Sequence, residues 1–335
     1  VQSLALSWTR FRVRLGKSPE AVALITFLAV FLFFSIGADK FLTSLSLANI
    51  ATFASIMGIV TVGVAMLMIA GEFDLSVGSN FAVASFVWAI LMNPPFDLSP
   101  LLAMLIAIAC STFLGFLNGL IVIELGLPSF IATLGTLLAY RGIARFIGGS
   151  DFAKHTFTDP LLPSILNGPI TFFNDLFEQG TDFRVSIVWF VVIALIAAWV
   201  LNRTRFGNWV FATGGNAAAA KEQGVPVKRV KLATFTLVGL LVGLASVMQF
   251  AWRTSVDPVR GEGWELIAVS ACVIGGVSMN GGFGTIVGAG LGMLLLTTLQ
   301  QGLVLMGVSV QVFQAVVGVI LILAVILNSY LSRES

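Results

Sequence analysis

Residues Arg203 to Lys231 read RTRFGNWVFATGGNAAAAKEQGVPVKRVK, a polar interruption between two hydrophobic runs that are each long enough to cross a bilayer. The stretch holds six of the 18 lysines and arginines (Arg203, Arg205, Lys221, Lys228, Arg229 and Lys231) against one acid, Glu222. Cytoplasmic loops of membrane proteins carry such an excess of positive charge, so this loop is expected to face the cytoplasm. Within it, Thr213-Gly214-Gly215-Asn216 supplies flexible and capping residues, Ala217 to Gln223 are good helix formers, and Gly224 followed by Pro226 ends the run. One short surface helix is predicted, serving either to order the loop or as a handle for a soluble partner.

The composition around this loop excludes a water-soluble domain. The 335 residues are 58% hydrophobic and 10% charged, whereas soluble proteins carry about 25% charged residues. The expected fold is all-α, a polytopic transmembrane helical bundle forming a single membrane domain over 1–335. Cys110 and Cys272 fall inside apolar runs, and His155 is the only histidine, so disulfide, metal and catalytic-triad chemistry find no support. No GxxxxGK[ST] loop is present, which leaves the chain without a recognisable ATP site of its own.

Apolar runs lie near 20–37, 49–70, 76–92, 100–124, 129–149, 185–202, 232–252, 265–279, 284–304 and 310–330, giving about ten spans. An even count puts the N-terminal segment 1–19, the loop 203–231 and the C-terminal end on the cytoplasmic side. Arg10, Arg12, Arg14, Lys17 and Arg333 then join the six loop cations on one face. The run from Ala21 to Gly37 reads as an uncleaved first span rather than a signal peptide, because the following runs continue the same alternation. Residues 150–184 are acidic and proline-punctuated, an outer segment in which Phe172, Phe173, Leu176 and Phe177 suggest an interfacial helix.

Two polar breaks stand out among the spans. Gly71-Glu72-Phe73-Asp74-Leu75-Ser76-Val77-Gly78-Ser79-Asn80 places two carboxylates and several hydroxyls between apolar runs with hardly any loop. Ile274-Gly275-Gly276 through Gly282 can be laid on Ile69-Ala70-Gly71 through Gly78 with one residue of slack. Short, Gly-broken segments in comparable places point to a pathway between the halves of a transporter. Arg141 and Arg145, four apart on one helical face, are expected to snorkel to the outer headgroups. Gly239 and Gly243, like Gly284, Gly288 and Gly292, are read as close helix packing.

Taken together, FDLSVGS at Phe73 to Ser79, NGL at Asn118 to Leu120, PSFIATLGT at Pro128 to Thr136, Arg141-Gly142, the 203–231 loop and GG(x)3NGGFGTIVG at Gly275 to Gly288 resemble the membrane subunit of bacterial ABC importers for simple sugars, the ribose, xylose and galactose permeases. The likeness runs from about Leu47 onward, with the motifs in the expected order. Glu72 and Phe73 stand where those permeases often have Gly and Ile, and 150–184 has its own sequence. The resemblance implies that Gly214 to Gly224 is a coupling helix, with Gly214, Gly215, Asn216, Ala219, Ala220 and Gly224 meeting a cytoplasmic ATPase. It further implies a second permease copy, identical or a sister, a periplasmic sugar-binding protein, and a bacterial inner-membrane location. ATP and Mg would then reside on the ATPase, with no cofactor in this chain.

A sugar is neutral and polyhydroxylated, so its path calls for hydroxyls, amides and aromatic faces. The candidates are Asp74 and Ser76 at the first break, Asn80, Asn118, Thr133, Gln249, Asn280, Gln300 and Gln301, with Phe130 and Phe250 as gates. Each is also the kind of residue that simply bonds or packs between helices. Two other readings stay open: the same architecture carrying a nucleoside or branched-chain amino acid, and an ion-coupled carrier using Glu72 and Asp74.

Overall fold

The computed structural model describes residues 19–149, 153–177, 180–309, 312–320 and 322. The basic cluster Arg10 to Lys17, Arg333, and much of the expected last span lie outside the described residues; of that span, 312–320 is helical. In chain order come helices α1 (Pro19–Gly37), α2 (Ser44–Ile69), α3 (Val77–Leu91), α4 (Pro100–Leu125) and α5 (Ser129–Gly148). Strand β1 (Ala153–Lys154) and helices α6 (Leu161–Asn167) and α7 (Thr171–Asn174) come next. The second half holds α8 (Ser186–Arg203), α9 (Arg205–Gly215), α10 (Ala217–Glu222), α11 (Val227–Arg253), β2 (Ser255–Val256), α12 (Trp264–Ile274) and α13 (Ile286–Leu305).

Among the described residues, seven helices are long and apolar enough to cross a membrane: α1, α2, α4, α5, α8, α11 and α13. Two of the ten expected runs are short helices at the breaks, and a third, 310–330, lies mostly outside the described residues. α3 has 15 residues and α12 has 11, which at 1.5 Å per residue rise about 22 Å and 16 Å against a hydrocarbon core of about 30 Å. The expected run 265–279 stops at Ile274 because Gly275 and Gly276 close the helix.

α2 is apolar on every side and is accordingly the central helix, with 94% of its most apolar window buried. α13, α11, α8 and α12 pack around it, while α1, α4, α5 and α8 keep most of their apolar side chains outward, as a lipid-facing layer must. α11 crosses α4 closely enough that the Ser111 hydroxyl donates to the Gly239 carbonyl at 2.7 Å, in agreement with the small-residue packing read from the sequence.

The two breaks are built alike. At the end of α2 the Gly71 amide donates to Met68 O and the Glu72 amide to Leu67 O, at 2.9 and 3.1 Å. At the end of α12 the Gly276 amide donates to Val273 O and the Val277 amide to Cys272 O, at 3.0 and 2.9 Å. Gly71 and Gly276 take φ of 84° and 85°, the left-handed conformation that closes such a helix end. The sequence register Ile69 to Ile274 and Gly71 to Gly276 is therefore also a structural register, long helix then short helix at one break, short then long at the other.

The end of the bundle remote from the 203–231 loop is covered rather than open. β1 pairs antiparallel with β2, Ala153 opposite Val256. Asn167 at the end of α6 is buried; its amide donates to Met248 O at 3.1 Å and its oxygen accepts from the Ser186 amide at 3.4 Å. Asn167→Ala strips the buried Ser186 amide of its acceptor and removes the bond to Met248 O, so the purified protein is expected to lose about 1–3 kcal/mol of stability, read as a lower thermal midpoint in detergent. An unchanged midpoint would mean that this cap is not fastened at Asn167.

Candidate functional site

The first break is held by a polar network that the apolar helices around it isolate. The Asp74 carboxylate accepts from the Ser76 amide at 2.8 Å and from the Ser76 hydroxyl at 2.7 Å, both at Oδ1. From α4, the Asn118 amide donates to Asp74 Oδ2 at 3.1 Å and to the Ser76 hydroxyl at 2.8 Å. Tyr140 of α5 donates to Asn118 Oδ1 at 2.9 Å. The Ser129 hydroxyl, at the start of α5, accepts from the Phe73 amide at 3.1 Å, and Thr133 one turn later donates to the Ser129 carbonyl at 2.7 Å. Asp74, Ser76, Asn118, Thr133, Ser129 and Tyr140 are all buried. A buried carboxylate with its donors supplied in this way fixes the geometry of the break.

The remaining pathway candidates are dispersed. Asn80 is buried on α3, its amide donating to Ser111 O at 3.1 Å while its Oδ1 makes no hydrogen bond. Gln249 is buried on α11, and its neighbour Phe250 packs against Trp88 at 5.3 Å between ring centroids. Gln300 and Gln301 are half-buried on α13, with Gln301 donating to the Ser46 hydroxyl at 3.4 Å. Asn280 is exposed in the second break. Phe130 points outward, 56% exposed, away from the network beside it.

The 203–231 loop contains two helices where the sequence predicts one. Thr204 caps α9 by accepting from the Gly207 amide at 3.3 Å, and α9 then runs through Gly214 and Gly215. Asn216 is extended, ending α9 and capping α10 by accepting from the Ala219 amide at 3.0 Å. Gly224, φ 81°, closes the far end. Gly215, Asn216, Ala219 and Gly224 are exposed, Gly214 is half-buried and Ala220 is buried beneath the helix. The result is a small knob that exposes the short side chains of Ala218 and Ala219 ahead of Lys221 and Glu222.

Charges tie this loop to its neighbours. Lys231 in the second turn of α11 forms an ion pair with Glu72 of the first break, and Lys228 meets Glu124 at the end of α4 at 3.1 Å. Arg203, Arg205, Lys221 and Arg229 make no ion pair among the described residues. On α5, Arg141 departs from the snorkelling expectation. It is buried and donates to the carbonyls of Arg260 and Pro258 at 2.7 and 3.3 Å, because residues 257–261 fold back against α5. Arg145 stays exposed, 3.8 Å from Glu262. Tyr140 and Ser129 are the structural contributors that spacing does not single out.

The family described as branched-chain amino acid transport system / permease component matches residues 46–325. The ribose import permease protein RbsC of Escherichia coli K12 is 33% identical over 315 residues, 92% of this chain and 94% of RbsC. The galactose/methyl galactoside import permease protein MglC of the same strain is 34% identical over 341 residues, 97% of either chain. The autoinducer 2 import system permease protein LsrC of Salmonella typhi is 32% identical over 292 residues, 87% of this chain and 80% of LsrC. Both breaks, the Asp74 network and the knob fall inside the matched region, and the chain belongs to the branched-chain amino acid transport system permease component family.

Proposed function

We propose that this protein is the membrane-spanning permease subunit of an ATP-driven importer that moves a simple sugar across the bacterial inner membrane. The observation that carries the proposal is the Asn216-capped helix α10, an exposed knob of small side chains on a cation-rich loop, in a chain that matches sugar import permeases over nearly its whole length. In this reading the knob seats in a cleft of a cytoplasmic ATPase, which holds the ATP and Mg. Two permease copies flank the path, about ten segments cross or enter the membrane in each, and a periplasmic binding protein delivers sugar to the end covered by α6 and α7. ATP binding closes the ATPases, the loop moves with them, and the helices beside the breaks rock to open the path to one side at a time.

The charge arrangement argues against an ion-coupled carrier. Such a carrier needs a deep acid free to take an ion, whereas Glu72 is paired with Lys231 and Asp74 is occupied by Ser76 and Asn118. Hydroxyl and amide groups in the interior suit a neutral polyol. The likeness to LsrC gives autoinducer 2 as a second cargo. Proteoliposomes holding the chain, its ATPase and a ribose- or galactose-binding protein are expected to take up the labelled sugar only with ATP. Uptake by the chain alone under an ion gradient would overturn the proposal, and autoinducer 2 as the better competitor would change the cargo.

A further inference from the structure

We infer that Gly71, Gly214 and Gly281 form a single joint through which the 205–224 lever drives both helix breaks together. This rests on the importer reading and goes beyond it by naming where the motion enters the membrane helices.

Three segments far apart in sequence meet here by backbone alone. A β-carbon on Gly281 would lie 2.8 Å from the Gly214 oxygen and 2.8 Å from the Gly71 Cα. One on Gly282 would lie 2.6 Å from the Gly215 Cα, and one on Gly71 would lie 3.3 Å from the Gly214 Cα. The Gly282 amide donates to the Ile69 carbonyl at 2.8 Å, joining the two breaks directly. With no side chain between these segments, no rotamer change can absorb a displacement of the lever, and close-packed contacts pass it on.

Each break is in turn fastened to its neighbouring helices. The first carries Asp74, whose network reaches α4 and α5, and Glu72, which pairs with Lys231 of α11. The second closes α12 with the same paired hydrogen bonds that close α2. Because the lever bears on both through one point, the short helices α3 and α12 are expected to move in step rather than in turn.

Gly214 gives the sharpest test, since it sits inside α9 with ordinary helical geometry. Alanine favours a helix there, and only the joint opposes it: the added carbon would overlap the Ile69 oxygen and lie 2.6 Å from the Gly282 nitrogen. In proteoliposomes with the ATPase and a ribose- or galactose-binding protein, Gly214→Ala is expected to cut sugar import per assembled complex at least tenfold. Import within twofold of wild type would overturn the joint while leaving the importer reading intact.

A second measurement needs no variant. Hydrogen exchange of the wild-type complex, with and without vanadate-trapped ATP, is expected to change together in 70–73, 213–216 and 276–282. A change in 213–216 with either break unaffected would overturn the joint. Wild-type protein that imports sugar without the ATPase would overturn the importer reading and the joint with it.

Discussion

Asp74→Ala is expected to abolish import and to destabilise the subunit more than any other single change outside its apolar core. The carboxylate is 1% exposed and accepts from the Ser76 amide, the Ser76 hydroxyl and the Asn118 amide. Removing it strands at least two buried donors, at about 1–3 kcal/mol each, for a total of about 2–6 kcal/mol. The loss extends further, because Asn118 is also the acceptor for Tyr140, so α3, α4 and α5 lose a common anchor. Asp74→Asn keeps the volume and one oxygen and is expected to fall between wild type and alanine. Import and thermal unfolding should be measured together. Unchanged uptake at an unchanged protein level would reduce Asp74 to an ordinary turn residue.

The second large effect is expected at the knob, with the opposite signature. Ala219 is exposed, and its contribution to the cap is its backbone amide, which is retained when the side chain is replaced. Ala219→Glu therefore leaves the helix, the bundle and the thermal midpoint as they were. What it alters is the fit: a carboxylate placed in a desolvated cleft without a partner costs several kcal/mol. Copurification of the ATPase is expected to fall more than tenfold, and import to fall with it. Sugar-stimulated ATP turnover at the wild-type level in this variant would refute the handle role of α10.

Those two sites differ in how far the sequence discloses them. The knob is legible locally: Asn216 before four alanines is a capping residue before helix formers, and Gly224 is a stop, so α10 can be read from nearest neighbours. The preceding helix α9 cannot, because Gly214-Gly215 reads as a hinge. Those glycines stay helical because Gly214 packs its bare backbone on Ile69 and Gly282, a contact between segments distant in the chain. The register of the two breaks is visible as Ile69-Ala70-Gly71 against Ile274-Gly275-Gly276, since a helix closure depends on a few adjacent residues.

Asp74, Ser76 and Asn118 stand out in the sequence as polar groups within apolar surroundings, and the fold brings them within hydrogen-bond distance. Tyr140 and Ser129 complete the same network but carry no spacing signal, being ordinary α5 residues until α5 is set beside the break. Arg141 defeats the sequence reading for a related reason. Its partners are carbonyls of Pro258 and Arg260, far along the chain, and a main-chain acceptor leaves no trace in the identity of a side chain. Phe130 lies one position beyond Ser129, which faces the network, and so is rotated outward by the pitch of the helix.

The most direct test of the account places a cysteine at Ala218, on the exposed face of α10, in a background with Cys110 and Cys272 replaced by serine or alanine. A membrane-impermeant maleimide is then applied to intact spheroplasts and to inverted vesicles, with and without the ATPase bound. Labelling only in inverted vesicles, and protection when the ATPase is present, is the predicted result. Labelling from outside the cell, or equal labelling with and without the ATPase, would contradict a permease worked from the cytoplasm through this helix.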